Sequence, residues 1–469
     1  MGFQSLSFLL FLAVSVPACL LAGRKSLTAG KTCLLLASLV FYLWGLPEHH
    51  VLGGFLVLLG SAIVTWAAAA DFRRCPKRRR LVLAVAMGWL LGSLLWHKFA
   101  AGWMPLGLSF FTFQQLWFLK KSYTGEWEEA PAPREWMLYT FFFPTVTSGP
   151  ILRPDSFFPQ LTGEGFLRPD ERDVAAGLCA IVLGTAKKVL LADQLGLMVA
   201  SGWTSAADLS VPAAWVTMAA YTLQLYLDFS GYCDIAMGCG RLLGLRLPPN
   251  FNSPYRSLSV GEFWKRWHIT LTSFLRECLY FPLGGSRKGT VRTCLNIMVV
   301  FLVSGIWHGN GWTFVVWGLL HGLAQVMERL WGAKRDRLPK AVRWLLTMAF
   351  VNFAWVFFRA PDMTSAWALL SAAVGGGGGV GVSALSTGVF ESEMNALTTI
   401  LPALAGPMTR LLPAALLAVG TVVVLWPRNV TQKMEDFRPT VLSALVLAAL
   451  ALWAVLSFSG VTTFIYSNF

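Results

Sequence analysis

The sequence predicts an all-α integral membrane protein that crosses the bilayer many times. Three observations carry this reading. Apolar runs of about 20 residues recur along the 469-residue chain, and a helix of that length spans a hydrocarbon core of about 30 Å. Only 13% of the residues are charged, against about 25% in soluble domains, and the mean hydropathy is +0.58. The charges fall in short gaps between the apolar runs. No polar linker separates domains, so residues 1–469 read as one polytopic domain. Its parts are N-terminal spans over 1–100, a central segment over 101–360, and a loop with C-terminal spans over 361–469. About 11–13 membrane segments are expected. This composition excludes a soluble enzyme, a secreted disulfide scaffold, a fibrous protein and a disordered chain.

The first four spans fall at about 5–22, 32–46, 51–70 and 81–97. The gap after the first holds Arg24, Lys25 and Lys31, and the gap after the third holds Arg73, Arg74, Lys77, Arg78, Arg79 and Arg80. Between them lies a gap with only Glu48, His49 and His50, and the gap after the fourth span is nearly neutral around Lys98. Basic and non-basic gaps thus alternate, as the positive-inside rule requires. Residues 71–80 are then cytoplasmic and the N-terminus lies outside. The basic stretches 334–343 and 428–438 fit the same register. The stretch 361–411, with Arg410 alone and the glycine run 375–379, is placed outside, as is the C-terminus. The net charge of +14 is therefore not a nucleic-acid footprint, and a lipid bilayer is the expected partner. Positive charge follows the first apolar run rather than preceding it, so that run reads as a span and not as a cleaved signal. The eight cysteines are scattered and form no C-x-x-C pair, as suits buried small apolar residues.

The middle of the chain departs from simple spans. Residues 103–119 open on Met104-Pro105-Leu106-Gly107, and 141–150 carry two prolines in an apolar run. Irregular backbone at membrane depth must be shielded by protein or line a wet cavity, so re-entrant or broken segments are expected here. Residues 213–243 are apolar but carry Asp228, Ser230, Tyr232, Asp234 and Arg241. Intramembrane charge serves either a site or an interhelical network; Asp228 and Tyr232, four apart on one helix, suit either. Ser259 and Glu262 have capping-box spacing, which predicts an amphipathic helix over 259–282 with Lys265, His268 and Thr272 on one face. From Arg256 to Arg292 there are seven basic residues and two acidic ones. That excess reads as a surface for anionic lipid or as a dock for a phosphorylated acyl carrier.

Six histidines occur. His49, His50 and His97 read as structural or interfacial. His321, in Trp317-Gly318-Leu319-Leu320-His321-Gly322, reads as packing. His308 ends an apolar run and is flanked by Gly305, Gly309 and Gly311. An imidazole there is either a satisfied hydrogen bonder or a general base. Trp307, Asn310 and Trp312 are candidate wall residues, with Asn310 a possible carbonyl donor. No nucleophile stands beside a base, and no metal-ligand cluster is seen.

These residues carry a resemblance. Phe263-Trp264-Lys265-Arg266-Trp267-His268-Ile269-Thr270-Leu271 and Tyr280-Phe281-Pro282-Leu283-Gly284-Gly285 resemble the signature of the membrane-bound O-acyltransferase (MBOAT) family, in particular its AlgI-like alginate O-acetylation branch. Gly305-Ile306-Trp307-His308-Gly309, Asp228-Phe229-Ser230-Gly231-Tyr232 and Trp355-Val356-Phe357-Phe358-Arg359-Ala360 continue it. Lys120, Lys121, Cys233 and the pair Glu277-Cys278 depart from the branch pattern. The resemblance makes 101–360 the catalytic core and implies a ring of helices around a central funnel. It places the catalytic histidine on His308 and a second, more cytoplasmic histidine on His268. It implies acetyl transfer from a cytoplasmic thioester, acetyl-CoA or another acyl carrier, with no bound cofactor. The acceptor is an extracytoplasmic polysaccharide, reached through a periplasmic partner of the SGNH type, in a bacterial inner membrane. Lys265, Arg266, Arg276, Arg287 and Lys288 are the candidate donor-binding cations, and Asp228 and Tyr232 candidate substrate contacts. The alternatives are D-alanyl transfer of the DltB type from a carrier protein and, remotely, a channel or transporter.

Overall fold

The computed structural model describes residues 3, 5–46, 50–127, 130–375 and 377–460. His49 and the extreme C-terminus, both read above, lie outside the described residues. The described chain is helical throughout, without a β-sheet. Eight helices among the described residues are long and apolar enough to cross a membrane.

Helix α1 (Leu6–Lys25) and α2 (Leu27–Gly45) are split by Ser26, which ends the first and caps the second by accepting from Ala29 N at 3.1 Å. Helices α3 (Val51–Arg74) and α4 (Arg79–Phe99) follow. All four match the expected spans. Lys31 is a correction to the charge reading. It is buried in α2 and paired with Glu135, so it is a packing residue and not a loop charge.

The irregular segments are shielded as expected. Helix α5 (Leu108–Thr124) is buried almost throughout. Its N-cap Gly107 has φ 74° and lies so close to the neighbouring backbone that an added Cβ would meet the Val146 carbonyl oxygen at 2.0 Å. Helix α6 (Pro133–Phe141) leads into the buried irregular stretch 142–150, and α7 (Pro154–Phe157) follows it. Side chains from distant helices satisfy this backbone. Phe143 N donates to Ser38 Oγ at 3.2 Å, Ser148 N to Tyr232 Oη at 3.3 Å and Ile151 N to Thr270 Oγ1 at 3.1 Å. Unpaired, each amide would cost about 1–3 kcal/mol.

Helices α8 (Glu171–Ala186) and α9 (Asp193–Thr204) join through a π-helical stretch, Lys187–Ala192. Helix α10 (Val211–Leu242) is buried for most of its length and packs against both. Glycines make that approach possible. An added Cβ on Gly231 would sit 2.8 Å from the Gly184 carbonyl oxygen, and one on Gly238 would sit 2.6 Å from that of Gly177. Small residues at such contacts drive helix association in lipid. Two lysines of the π stretch reach α10: Lys188 pairs with Asp228 at 2.7 Å and Asp193 at 2.8 Å, and Lys187 pairs with Asp234 at 2.6 Å. Both α10 carboxylates thus sit in ion pairs between helices, as an interhelical network requires.

The expected helix over 259–282 is broken. Ser259 does start α11 (Val260–Arg266), accepting from Glu262 N at 3.0 Å, but Glu262 reaches Leu258 N rather than closing the box. The chain then turns through His268, with φ 44°, into α12 (Ile269–Leu275) and a π turn, Arg276–Tyr280. A left-handed histidine is uncommon. The segment 250–252 holds it there: Asn252 N donates to Arg266 O and Ile269 N to Asn250 O, each at 2.9 Å.

Helices α13 (Gly289–His308), α14 (Trp312–Trp331) and α15 (Lys340–Arg359) complete the core. A Cβ on Gly305 would stand 2.4 Å from the Phe314 carbonyl oxygen, so α13 and α14 touch through backbone. The stretch 361–411 is not a plain loop, because it forms α16 (Met363–Gly375) and α17 (Glu391–Ile400). Helices α18 (Ala405–Leu425), α19 (Val430–Glu435) and α20 (Val441–Leu456) follow and pack on α8 or α10.

Candidate active site

Helix α13 carries Phe301, Ser304 and His308 on one buried face, at helical spacings of three and four. Its last turn is fixed from outside: Lys98, on α4, donates to the Trp307 carbonyl. A cation at a helix C-terminus meets carbonyls that lack intrahelical partners. His308 is enclosed by Trp307 at 4.6 Å and by Trp317 and Phe358 at 5.1 Å each, measured between ring centroids.

His268 lies 6.4 Å from the Trp307 ring and is fully buried. The expectation that it shares one helix face with Lys265 and Thr272 is corrected: those two line a common cavity, whereas the break at 267–268 turns His268 inward. Phe229 meets it edge-on at 4.9 Å. Asn250 sets its state. Thr270 N at 3.2 Å and Thr270 Oγ1 at 2.9 Å both bond Asn250 Oδ1, so this atom is the amide oxygen. It then accepts from His268 Nδ1–H at 3.1 Å, which leaves the neutral ring's lone pair on Nε2. His321 is packing, as expected. It is fully buried and accepts from Trp264 Nε1 at 3.1 Å.

A cavity of about 330 Å³ opens between α12 and α13. Leu271, Leu275, Val300 and Phe301 line its apolar part, and it reaches Ser304, one helical turn from His308. Lys265, Arg276 and Arg329 also line it. None of these three cations forms an ion pair among the described residues.

Lys265 and Arg276 are thus brought together as expected, and Arg329 on α14 joins them. The other candidate cations are elsewhere. Arg266 is tied to Glu262 at 2.8 Å, while Arg287 and Lys288 are exposed and line no part of the cavity. Asn310 and Trp312 do not wall the histidines; both are exposed, Trp312 by 76%. They fall beyond the end of α13, where the chain turns outward. Asp228 pairs with Lys188 and Tyr232 bonds Thr147 Oγ1 at 2.6 Å, and neither lines the cavity. Asn250, Lys98 and Arg329 escaped the sequence reading because each acts across a large separation along the chain.

Two of the departures from the branch pattern, Lys121 and Glu277, are linked through Asp155 and Arg153. Lys121 pairs with Asp155 at 3.0 Å, Asp155 with Arg153, and Arg153 with Glu277 at 3.0 Å, which also accepts from Trp117 Nε1 at 2.9 Å. Burial raises the Asp155 carboxyl, but hydrogen bonds from Arg153 and Lys121 outweigh it and hold the group below its ordinary range.

Two buried histidines against one tryptophan, near a cation-lined cavity within a bundle of apolar helices, mark a multi-pass membrane protein with an enclosed candidate site. Comparison with known proteins makes this specific. Residues 82–365 match the family described as MBOAT, membrane-bound O-acyltransferase family. A peptidoglycan O-acetyltransferase of Helicobacter pylori is 36% identical over 393 residues, which cover 74% of this chain and 74% of that protein. A probable alginate O-acetylase AlgI of Pseudomonas aeruginosa is 32% identical over 79% of this chain and 74% of its own length. A teichoic acid D-alanyltransferase of Bacillus subtilis is 25% identical over 54% of this chain and 67% of its own. The chain belongs to the membrane-bound O-acyltransferase family and is an acyltransferase.

Proposed function

We propose that the protein transfers acetyl from a cytoplasmic thioester, acetyl-CoA or another acyl carrier, across the inner membrane for O-acetylation of an extracytoplasmic polysaccharide. The cavity beside α13 carries this reading. Three cations without ion pairs suit the phosphates of such a donor, and the apolar passage to Ser304 suits its uncharged arm. His308 takes the proton of the acceptor hydroxyl as its oxygen attacks the thioester carbonyl carbon. The C–O bond forms, the C–S bond breaks, and the leaving thiolate recovers the proton from His308. His268, held with Nε2 unprotonated, orients the reacting groups. The acetyl group passes to a periplasmic SGNH-type partner or directly to the glycan. Peptidoglycan and alginate, the glycans after which these relatives are named, support a polysaccharide acceptor. The basic stretches 71–80, 334–343 and 428–438 support a topology with both termini on the periplasmic face.

The D-alanyltransferase relatives support a second reading, D-alanyl transfer from a carrier protein. Proteoliposomes given either acetyl-CoA or a D-alanyl-carrier thioester separate the two. Free thiol released from acetyl-CoA in the presence of an acceptor is the expected result. Consumption of the D-alanyl thioester alone refutes acetyl transfer.

A further inference from the structure

A second groove lies away from both histidines. It occupies about 540 Å³ between α8, α10, α18 and α20, within the range of about 300–1,000 Å³ typical of ligand sites. Leu183, Leu190, Leu416, Val419 and Val423 give it aliphatic walls. Phe390 and Trp453, 5.9 Å apart, line it toward the start of α18. Where α18 stops, the lining changes to Trp426, Arg428, Asn429 and Lys433, with Lys187 opposite. The groove is therefore amphiphilic along its length, with an apolar body and cations at one end.

The charges at that end do not cancel. Lys187 is paired with Asp234 at 2.6 Å and Arg428 with Asp436 at 2.5 Å. Lys433 lines the groove with no ion pair among the described residues, which leaves one net positive charge there. The outer wall is formed by peripheral helices: α20 buries only Ala454, and 22% of the α18 span is buried. A groove with this polarity fits an amphiphile that carries negative charge at one end. Basic residues at a membrane surface attract anionic headgroups, and an acyl chain would pack along the aliphatic walls.

We propose that this groove binds an anionic phospholipid, with an acyl chain between α10 and α18 and its phosphate at Lys433. The lipid joins the C-terminal helices to the body of the protein and takes no part in acyl transfer.

The test uses the full-length protein reconstituted in vesicles of phosphatidylcholine with phosphatidylglycerol. The protein is then released into mild detergent and its retained lipid is counted by native mass spectrometry. The wild type should retain one phosphatidylglycerol per chain, several-fold over phosphatidylcholine. Lys433→Gln should keep a lipid but lose that preference, and Val419→Trp, which fills the groove, should retain none. Both variants should keep acyl transfer, since neither residue touches the histidine cavity. Equal retention of the two lipids by the wild type, unchanged retention in Val419→Trp, or a peptide retained in place of lipid would overturn the proposal. If Val419→Trp does not fold, loss of selectivity in Lys433→Gln decides alone.

Discussion

Replacing Asn250 by alanine tests how the His268 break is held. One atom, Asn250 Oδ1, accepts from His268 Nδ1 at 3.1 Å, Thr270 N at 3.2 Å and Thr270 Oγ1 at 2.9 Å. Asn250 is fully buried, so water does not replace the lost acceptor. The Thr270 hydroxyl can rotate toward another acceptor, but the Thr270 amide and the imidazole N–H cannot. Two stranded donors at about 1–3 kcal/mol each give a loss of about 2–6 kcal/mol. Part of that loss falls on folding, because His268 occupies a left-handed conformation that persists only where its surroundings impose it. Part falls on catalysis, because the imidazole loses the acceptor that fixes its orientation. A loss of about 1.4–2.8 kcal/mol from the transition state lowers kcat about 10- to 100-fold. Donor KM should change little, since Asn250 does not line the donor cavity. The assay is thiol release in proteoliposomes, with thermal stability measured on the same preparation. Asn250→Asp keeps the accepting oxygens and should recover part of the activity. An Asn250→Ala protein with unaltered stability and kcat within about twofold of wild type would refute the reasoning.

Three further outcomes follow from the same geometry. Lys98→Met removes the bond to the Trp307 carbonyl and should lower kcat about tenfold or more with donor KM unchanged; an effect on KM alone would place Lys98 in donor binding. Joint replacement of Lys265, Arg276 and Arg329 by alanine should raise donor KM about tenfold or more with a small effect on kcat, and high salt should mimic it in the wild type. Gly305→Ala places a Cβ 2.4 Å from the Phe314 carbonyl oxygen and should cost about 1–3 kcal/mol in stability by forcing α13 from α14; an unchanged melting temperature would contradict that contact.

Much of the fold was legible because periodicity and hydropathy are local properties. The first four spans and α10 fall where the apolar runs place them, and Pro105, Gly107 and the prolines of 141–150 marked the irregular segments. The break at His268 was not legible. Helical spacing runs through it without interruption, and the turn is imposed by residues 250–252. Charge misled in a similar way. Lys31 sits at a span edge in sequence but pairs with Glu135 in the interior, and Arg287 and Lys288 belong to a basic run without sharing its cavity. His308 was found because it stands out at the end of an apolar run, and His268 because the resemblance placed a second histidine there. Asn250 and Arg329 look ordinary until the fold sets one on an imidazole and the other beside Lys265 and Arg276.

The central claim is that His308, enclosed behind Trp307 beside a donor-binding cavity, is the proton acceptor in acyl transfer. The most direct measurement is single-turnover transfer from acetyl-CoA by His308→Ala in proteoliposomes, with donor affinity determined in parallel. Loss of a general base predicts a fall of about 100- to 10,000-fold in the transfer rate, with donor binding retained because the cavity cations are untouched. A His308→Ala protein that folds, binds donor and transfers acetyl at the wild-type rate would contradict the account.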